Sequence, residues 1–298
     1  MTLDAELRAL AVQEDLPADL VWRLLGHPEA RHSAALLRKD LTPELMEEIV
    51  RLGSARTLAA NGFVPAVRRA RFAESPEPLV RAAVAASITD EPPGLLARLA
   101  ADPDPAVRVF LAMNEHLPPA LLAVLADDPE PSVRASLVSH CRHAPEPVRR
   151  ALLTDPDPQI RSGAASVYSP PADLLPALLA DPQTRAAAVR YAGPSAELAA
   201  DPDAGVRRAV AAHPDLSAEL RDLLAGDRDL FVRNEIAARA DTPATLRDSI
   251  VATLTTDNPV ADWLLSLRRN THPCPPPAAA PPRLTREQAE DLLARAGL

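Results

Sequence analysis

The sequence of 298 residues is poor in several things at once: it has two cysteines, nine glycines, 3% aromatic residues and a single lysine, Lys39. Two cysteines, Cys141 and Cys274, cannot make a disulfide framework, so reduced thiols in a cytoplasmic protein are the expectation. Few glycines leave few positions for the tight hairpin turns of a β protein. No stretch approaches the roughly 18 to 20 apolar residues of a membrane span, and the first residues, Met1-Thr2-Leu3-Asp4-Ala5-Glu6, have neither the basic region nor the apolar core of a signal peptide. A soluble, cytoplasmic protein with no membrane contact is expected. There is also no phosphate loop, nucleophile elbow or zinc-hydrolase helix, so catalysis is not indicated. The net charge of −9 opposes unspecific attraction to nucleic acid or anionic lipid.

What the chain does have is 47% hydrophobic residues, 33 prolines and one phrase repeated along its length. The phrase reads Asp102-Pro103-Asp104-Pro105-Ala106-Val107-Arg108 and recurs at 128–134, 155–161, 201–207 and 227–233, with an altered copy at 75–81 and a shortened one at 181–185. Its arginines, at 81, 108, 134, 161, 185, 207 and 233, are 22 to 27 residues apart, the self-similarity of a solenoid. Within the phrase, Asp104, Asp157, Glu130 and Glu77 stand where a side-chain oxygen caps a helix, and the prolines that follow occupy the first helical position, where a missing N–H is harmless. Apolar residues three positions after each arginine (Val84, Leu111, Leu137, Ala164, Val210, Ile236) bury one face of that helix.

About ten residues later a second punctuation opens a second helix, as at Glu91-Pro92-Pro93, Leu117-Pro118-Pro119 and Thr242-Pro243. Each unit is therefore a helical hairpin too small to bury its own apolar face, stable only when stacked on neighbours. About ten such units are expected over residues 1–270, with atypical capping repeats at both ends, the last around Asp257-Asn258-Pro259 and Trp263. One irregular unit has Asn61-Gly62 ending a short helix and a further helix at 66–72. Residues 271–283 form a Pro/Ala-rich linker that cannot be helix, and residues 284–298 a short amphipathic helix in which Thr285 and Gln288 have capping-box spacing. A helix this short is marginal alone, so Leu284, Leu292 and Leu293 are candidate tail contacts, either on the solenoid or on another protein.

The phrase Asp-Pro-Asp-Pro-x-Val-Arg, followed by Pro-Pro-x-Leu-Leu-x-x-Leu-Ala, resembles the leucine-rich repeat variant family and, more loosely, HEAT-like repeats, well over residues 75–250 and weakly before them. The resemblance implies an all-α fold, a right-handed α-solenoid of short helices with the Val-Arg helices lining one face. Some leucine-rich repeat variant proteins carry an N-terminal cysteine cluster for an iron–sulfur centre. Here no cysteine precedes Cys141, so that cofactor is not carried over, and no cofactor or metal is expected.

The aspartate column (Asp102, Asp128, Asp155, Asp201, Asp227) and arginine column (Arg108, Arg134, Arg161, Arg207, Arg233) are read as an inter-repeat structural ladder rather than a binding stripe, because the two columns vary together. The expected pairing is Asp of one unit with Arg of the next, each exposed link worth about 0.2 to 1 kcal/mol. His140, Cys141 and His143 lack the spacing of a zinc site; His140 is read as a helix-end residue in a column with Ser87, Asn114 and His213. Arg190, Tyr191, Arg208 and Arg239 form a possible binding patch, the best support for nucleic acid. The function expected is a non-catalytic protein-interaction scaffold or adaptor. It would take a protein or peptide along the Val-Arg face, where Ala82, Ala135, Ser162, Gly163 and Ala186 permit close approach, with the tail helix as a second contact. The alternative is a nucleic-acid-binding protein or a repair protein of the HEAT-like alkyl-base DNA glycosylase type.

Overall fold

The computed structural model describes residues 2–89, 92–254 and 283–298. Glu91, the unit expected around residues 257–263, Cys274 and the Pro/Ala-rich tract through Pro282 lie outside the described residues. Every regular element among the described residues is helical, and the chain divides into two compact units, Met1–Val148 with Ala278–Leu298, and Arg149–Pro277.

Each unit is an α-solenoid built from the repeated phrase. In the first, Pro78–Ala85, Pro105–Ala112 and Pro131–His140 stack in order, and at its start Leu3–Ala11 stacks on Pro28–Leu37 in the same way. In the second, Arg185–Ala192, Ala204–Ala212 and Leu230–Ala238 stack in order. Between phrase helices the chain returns through a second short helix, such as Leu95–Ala100, Pro119–Ala126 or Ala218–Leu224. Val80, Val107, Val133, Ile160, Val206 and Val232, each one residue before a column arginine, are 4% exposed or less, and the apolar residues four positions on are fully buried. Spacing of i, i+4 puts each pair on one helix face, and each buried valine or leucine contributes about 1.5 to 3 kcal/mol.

The turn that opens each phrase helix differs from expectation in one respect. Asp104 and Asp157 accept from the amides of Ala106 and Gln159 at 2.8 Å, and Asp203 and Asp229 do the same for Gly205 and Phe231. Glu77 and Glu130 make no side-chain cap. The extra methylene of glutamate carries the carboxylate past the amide that aspartate reaches. There the turn keeps only the bond from two residues earlier that the aspartate-capped phrases also have, Ser75 Oγ accepting from Glu77 N at 3.2 Å and Asp128 Oδ1 from Glu130 N at 2.9 Å. The helix expected at 66–72 is also divided, into α-helix Ala66–Arg69 and 3₁₀ turn Ala70–Glu74. The last turn tightens because Ser75, preceding Pro76, is held extended.

Candidate interaction surfaces

The first aspartate of the phrase does two things with its two oxygens, as Asp128 shows. Asp128 Oδ1 accepts from the Glu130 amide, closing the turn, while Arg108 donates to both carboxylate oxygens, Nε to Oδ2 at 2.7 Å and Nη2 to Oδ1 at 3.0 Å. Arg81–Asp102 and Arg207–Asp227 pair in the same way, while Arg161 and Arg185 reach only Oδ2 of Asp181 and Asp201; the closest distances are 2.7 to 2.9 Å. Each arginine in addition ties its own turn, as Arg108 Nη1 donates to the Asp102 carbonyl at 2.8 Å and Arg134 Nη1 to that of Asp128 at 2.7 Å. Arg161, Arg207 and Arg233 reach the carbonyls of Asp155, Asp201 and Asp227 in the same way.

Two features of the expected ladder are corrected. The direction is reversed, because Asp102, Asp128, Asp201 and Asp227 each meet the arginine of the preceding phrase, and their own arginines take only their carbonyls. The links are not exposed either: the side chains of Arg207 and Asp227 are 6% and 7% accessible. Burial pushes the carboxyls of Asp102, Asp128 and Asp227 up, but the guanidinium hydrogen bond, the turn amide and the nearby positive charge together outweigh it, so each lies below the usual carboxylate value. The aspartate hydrogen bond in turn holds Arg81, Arg108 and Arg207 above the ordinary arginine value. Arg81, Asp181 and Arg185 take part as well, although the altered and shortened phrases that carry them obscured it.

A second tie went unread in the sequence. Asn114 Nδ2 donates to the carbonyls of Ala85 and Ile88, both at 2.8 Å, so it satisfies the end of the preceding phrase helix, not its own. Asn61 does this for Ala35 and Arg38, and Arg239 for Ala211 and His213. The available signal was position: Asn61, Asn114 and Arg239 each stand four residues before a proline, at Pro65, Pro118 and Pro243. By that count Cys141, four before Pro145, occupies the column that His140 was given. His140 Nδ1 lies 2.9 Å from the Ser136 carbonyl of its own helix, and His213 Nδ1 accepts from the Asp215 amide. Burial pushes the Cys141 thiol up, and no cluster of metal-ligating side chains occurs among the described residues.

The arginines of the possible basic patch are largely engaged. Arg208 Nε lies 3.3 Å from Glu235, and Arg239 donates to Asp241 at 2.8 and 3.0 Å while clamping backbone. Arg190 is exposed and lies over the Tyr191 ring at 5.6 Å. Of the small residues expected to line a groove, Ala82 is buried, so it serves helix packing, while Ala135, Ser162, Gly163 and Ala186 are half-buried.

The tail helix Arg286–Arg295 docks on the first repeat. Its capping box is complete, with Thr285 Oγ1 accepting from Gln288 N at 3.3 Å and Gln288 Oε1 from Thr285 N at 2.9 Å. Ala289, Leu292 and Leu293 are buried in the core built from Leu7, Leu10, Leu20 and Leu24, with Leu284, Ala296 and Leu298 packed beside them. Gln13 fixes the entry: its Nε2 donates to the Leu284 carbonyl and its Oε1 accepts from the Leu284 amide, both at 2.9 Å. Around the rim, Arg286 pairs with Asp19 at 2.8 Å and Arg295 with Glu6 at 3.3 Å, and Arg23 donates to the Leu298 carbonyl at 2.7 Å. Of the two places expected for the tail contact, Leu284, Leu292 and Leu293 here lie on the array of their own unit.

No protein-family model and no curated protein matches the chain. Solved structures similar to it include one described as a leucine-rich repeat variant with a novel repetitive protein structural motif; the match is 21% identical, covers 76% of this chain and 86% of the other, and has a TM-score of 0.37. Among the described residues no helix is long and apolar enough to cross a membrane.

Proposed function

We propose that the chain is a non-catalytic interaction scaffold, or adaptor, that binds protein or peptide segments on the surface of its helical array in the cytosol. The observation that supports this reading is the docked tail. An amphipathic helix lies on the end of the array, held by three buried side chains and a two-bond clamp from Gln13, and this is how a scaffold takes a helical segment of a partner. The ladder and the helix-end ties support the same reading from the other side, since they use up the repeated charged residues in holding repeats together. Nucleic acid is the weaker reading because Glu235 and Asp241 answer two of the four patch residues, Arg208 and Arg239.

The test is to select a random peptide library on the immobilised full-length chain while titrating labelled duplex DNA against the same protein. A consensus among the retained peptides, with no salt-sensitive duplex affinity, is the expected result. No consensus together with duplex binding that falls steeply with salt would overturn the proposal.

A further inference from the structure

Beside the docked tail runs an open groove of about 800 Å³ whose walls are one stripe of each of two helices. Glu6, Ala9, Leu10 and Gln13, at i, i+3, i+4 and i+7, come from Leu3–Ala11 and the turn after it. Leu284, Glu287, Asp291, Leu292 and Arg295 come from the tail. Such a volume falls within the range of natural binding sites, about 300 to 1,000 Å³. The floor is apolar, formed by Ala9, Leu10, Val12, Leu284 and Leu292. The rim carries the carboxylates of Glu6, Glu14, Glu287 and Asp291 against the guanidiniums of Arg283 and Arg295.

The distribution of those charges points to a ligand sign. Glu6 is answered by Arg295, and Glu14 by Lys39 at 2.7 Å. Glu287 and Asp291 are exposed, face the groove and have no ionic partner among the described residues, although they stand one helical turn apart, a spacing at which like charges repel. A cation lying in the groove relieves that repulsion. The shape selects a helix over a strand. The backbone of Leu284, which would be the natural edge for an added strand, is already closed by Gln13, whereas a third helix brings its own hydrogen bonds and needs only an apolar face to lay on the floor. The wall helix Leu3–Ala11 has nine residues, so at 1.5 Å per residue it offers roughly 13 Å, enough for two turns of a ligand helix.

We propose that this groove is the docking site for a basic amphipathic helix of a partner protein, with apolar anchors at i, i+3, i+4 and i+7 and lysine or arginine on the flank facing Glu287 and Asp291. The proposal rests on the interaction-scaffold reading and names the site and the chemistry of one partner. Acidic helices, duplex nucleic acid and anionic lipid surfaces are rejected by the same rim.

The experiment uses the full chain and a fluorescein-labelled helical peptide of about 15 residues, leucine at the four anchor positions and lysine on both flanks, followed by anisotropy. A twin with glutamate for lysine is the second probe. The lysine peptide is expected to bind saturably, and the twin at least about tenfold more weakly. Reversing the exposed pair, Glu287→Lys with Asp291→Lys, should weaken the lysine peptide about tenfold and improve the twin, and Ala9→Trp, which fills the floor, should weaken both. No saturable binding of the lysine peptide, or equal binding of the two probes, overturns the groove. Binding unchanged by the double charge reversal also overturns it and places the peptide elsewhere on the array, leaving the scaffold reading intact. The reversed residues are exposed, so the result does not depend on whether Ala9→Trp folds.

Discussion

Replacing Asp128 by asparagine removes one charge from the ladder at nearly constant volume, and its effect can be worked out from the atoms involved. The Asp128 and Arg108 side chains are 5% and 13% accessible, and their two hydrogen bonds measure 2.7 and 3.0 Å. The substituted amide can still offer an oxygen to the Glu130 N–H, but it then turns its own N–H toward Arg108 Nε, leaving a nearly buried guanidinium facing a donor. Removing one member of a fully buried pair costs about 3 to 5 kcal/mol. Because the Arg108 end keeps some water and its bond to the Asp102 carbonyl, about 2 to 3 kcal/mol is the expectation here. A stack of repeats opens locally, so the readout is native-state hydrogen exchange of Pro105–Ala112 and Pro131–His140, followed by mass spectrometry. The loss corresponds to exchange faster by about 30- to 150-fold at those helices. Asp173→Asn is the control. The Arg150–Asp173 pair is equally short, at 2.7 Å, but 39% and 65% accessible, so exchange around it should stay within about twofold of the parent. If Asp128→Asn accelerates exchange no more than Asp173→Asn does, burial is not what gives the ladder its strength and the argument fails.

Three further outcomes follow from the same geometry. The carboxyls of Asp102, Asp128 and Asp227 lie below their usual value in the folded chain, so the unfolded chain binds more protons in acid; their contribution is complete above about pH 5, clear of the unfolded value, and is lost as pH falls through the folded values. Urea midpoints should therefore hold from neutrality to about pH 5 and drop below it, with a smaller drop in Asp128→Asn; a midpoint that rises on acidification contradicts the sign. Leu293→Ala removes a fully buried tail side chain at a cost of about 2 to 5 kcal/mol, so limited proteolysis should cut the tail helix well before the rest, and an unchanged cleavage pattern would show that the tail is not held by that contact. Asn114→Ala leaves the carbonyls of Ala85 and Ile88 without their donor, and should cost about 1 to 3 kcal/mol, read as faster exchange at the end of Pro78–Ala85; no local change there would remove the tie from the account.

How much of this was legible in the sequence depends on whether the interaction was local or lay between repeats. The all-α fold and the phrase helices were readable because proline at the first helical position, the cap before it and the i, i+4 apolar pair are all set within a few residues of one another. The partner of each aspartate was not, because Asp128 lies six residues from Arg134 in sequence and 20 from Arg108, and only stacking decides which guanidinium the carboxylate meets. The same holds for Asn114, whose two acceptors are 26 and 29 residues away, although its fixed distance to Pro118 recurs at Asn61 and Arg239 and was a usable sign. The tail shows the limit most clearly. Thr285 and Gln288 announce the helix and Leu292 and Leu293 its apolar face, but the groove beside it exists only because residues some 280 positions apart form its two walls. Within the tail alone, the like charges of Glu287 and Asp291 read as solvated surface; only the distant helix Leu3–Ala11 sets them beside an apolar floor.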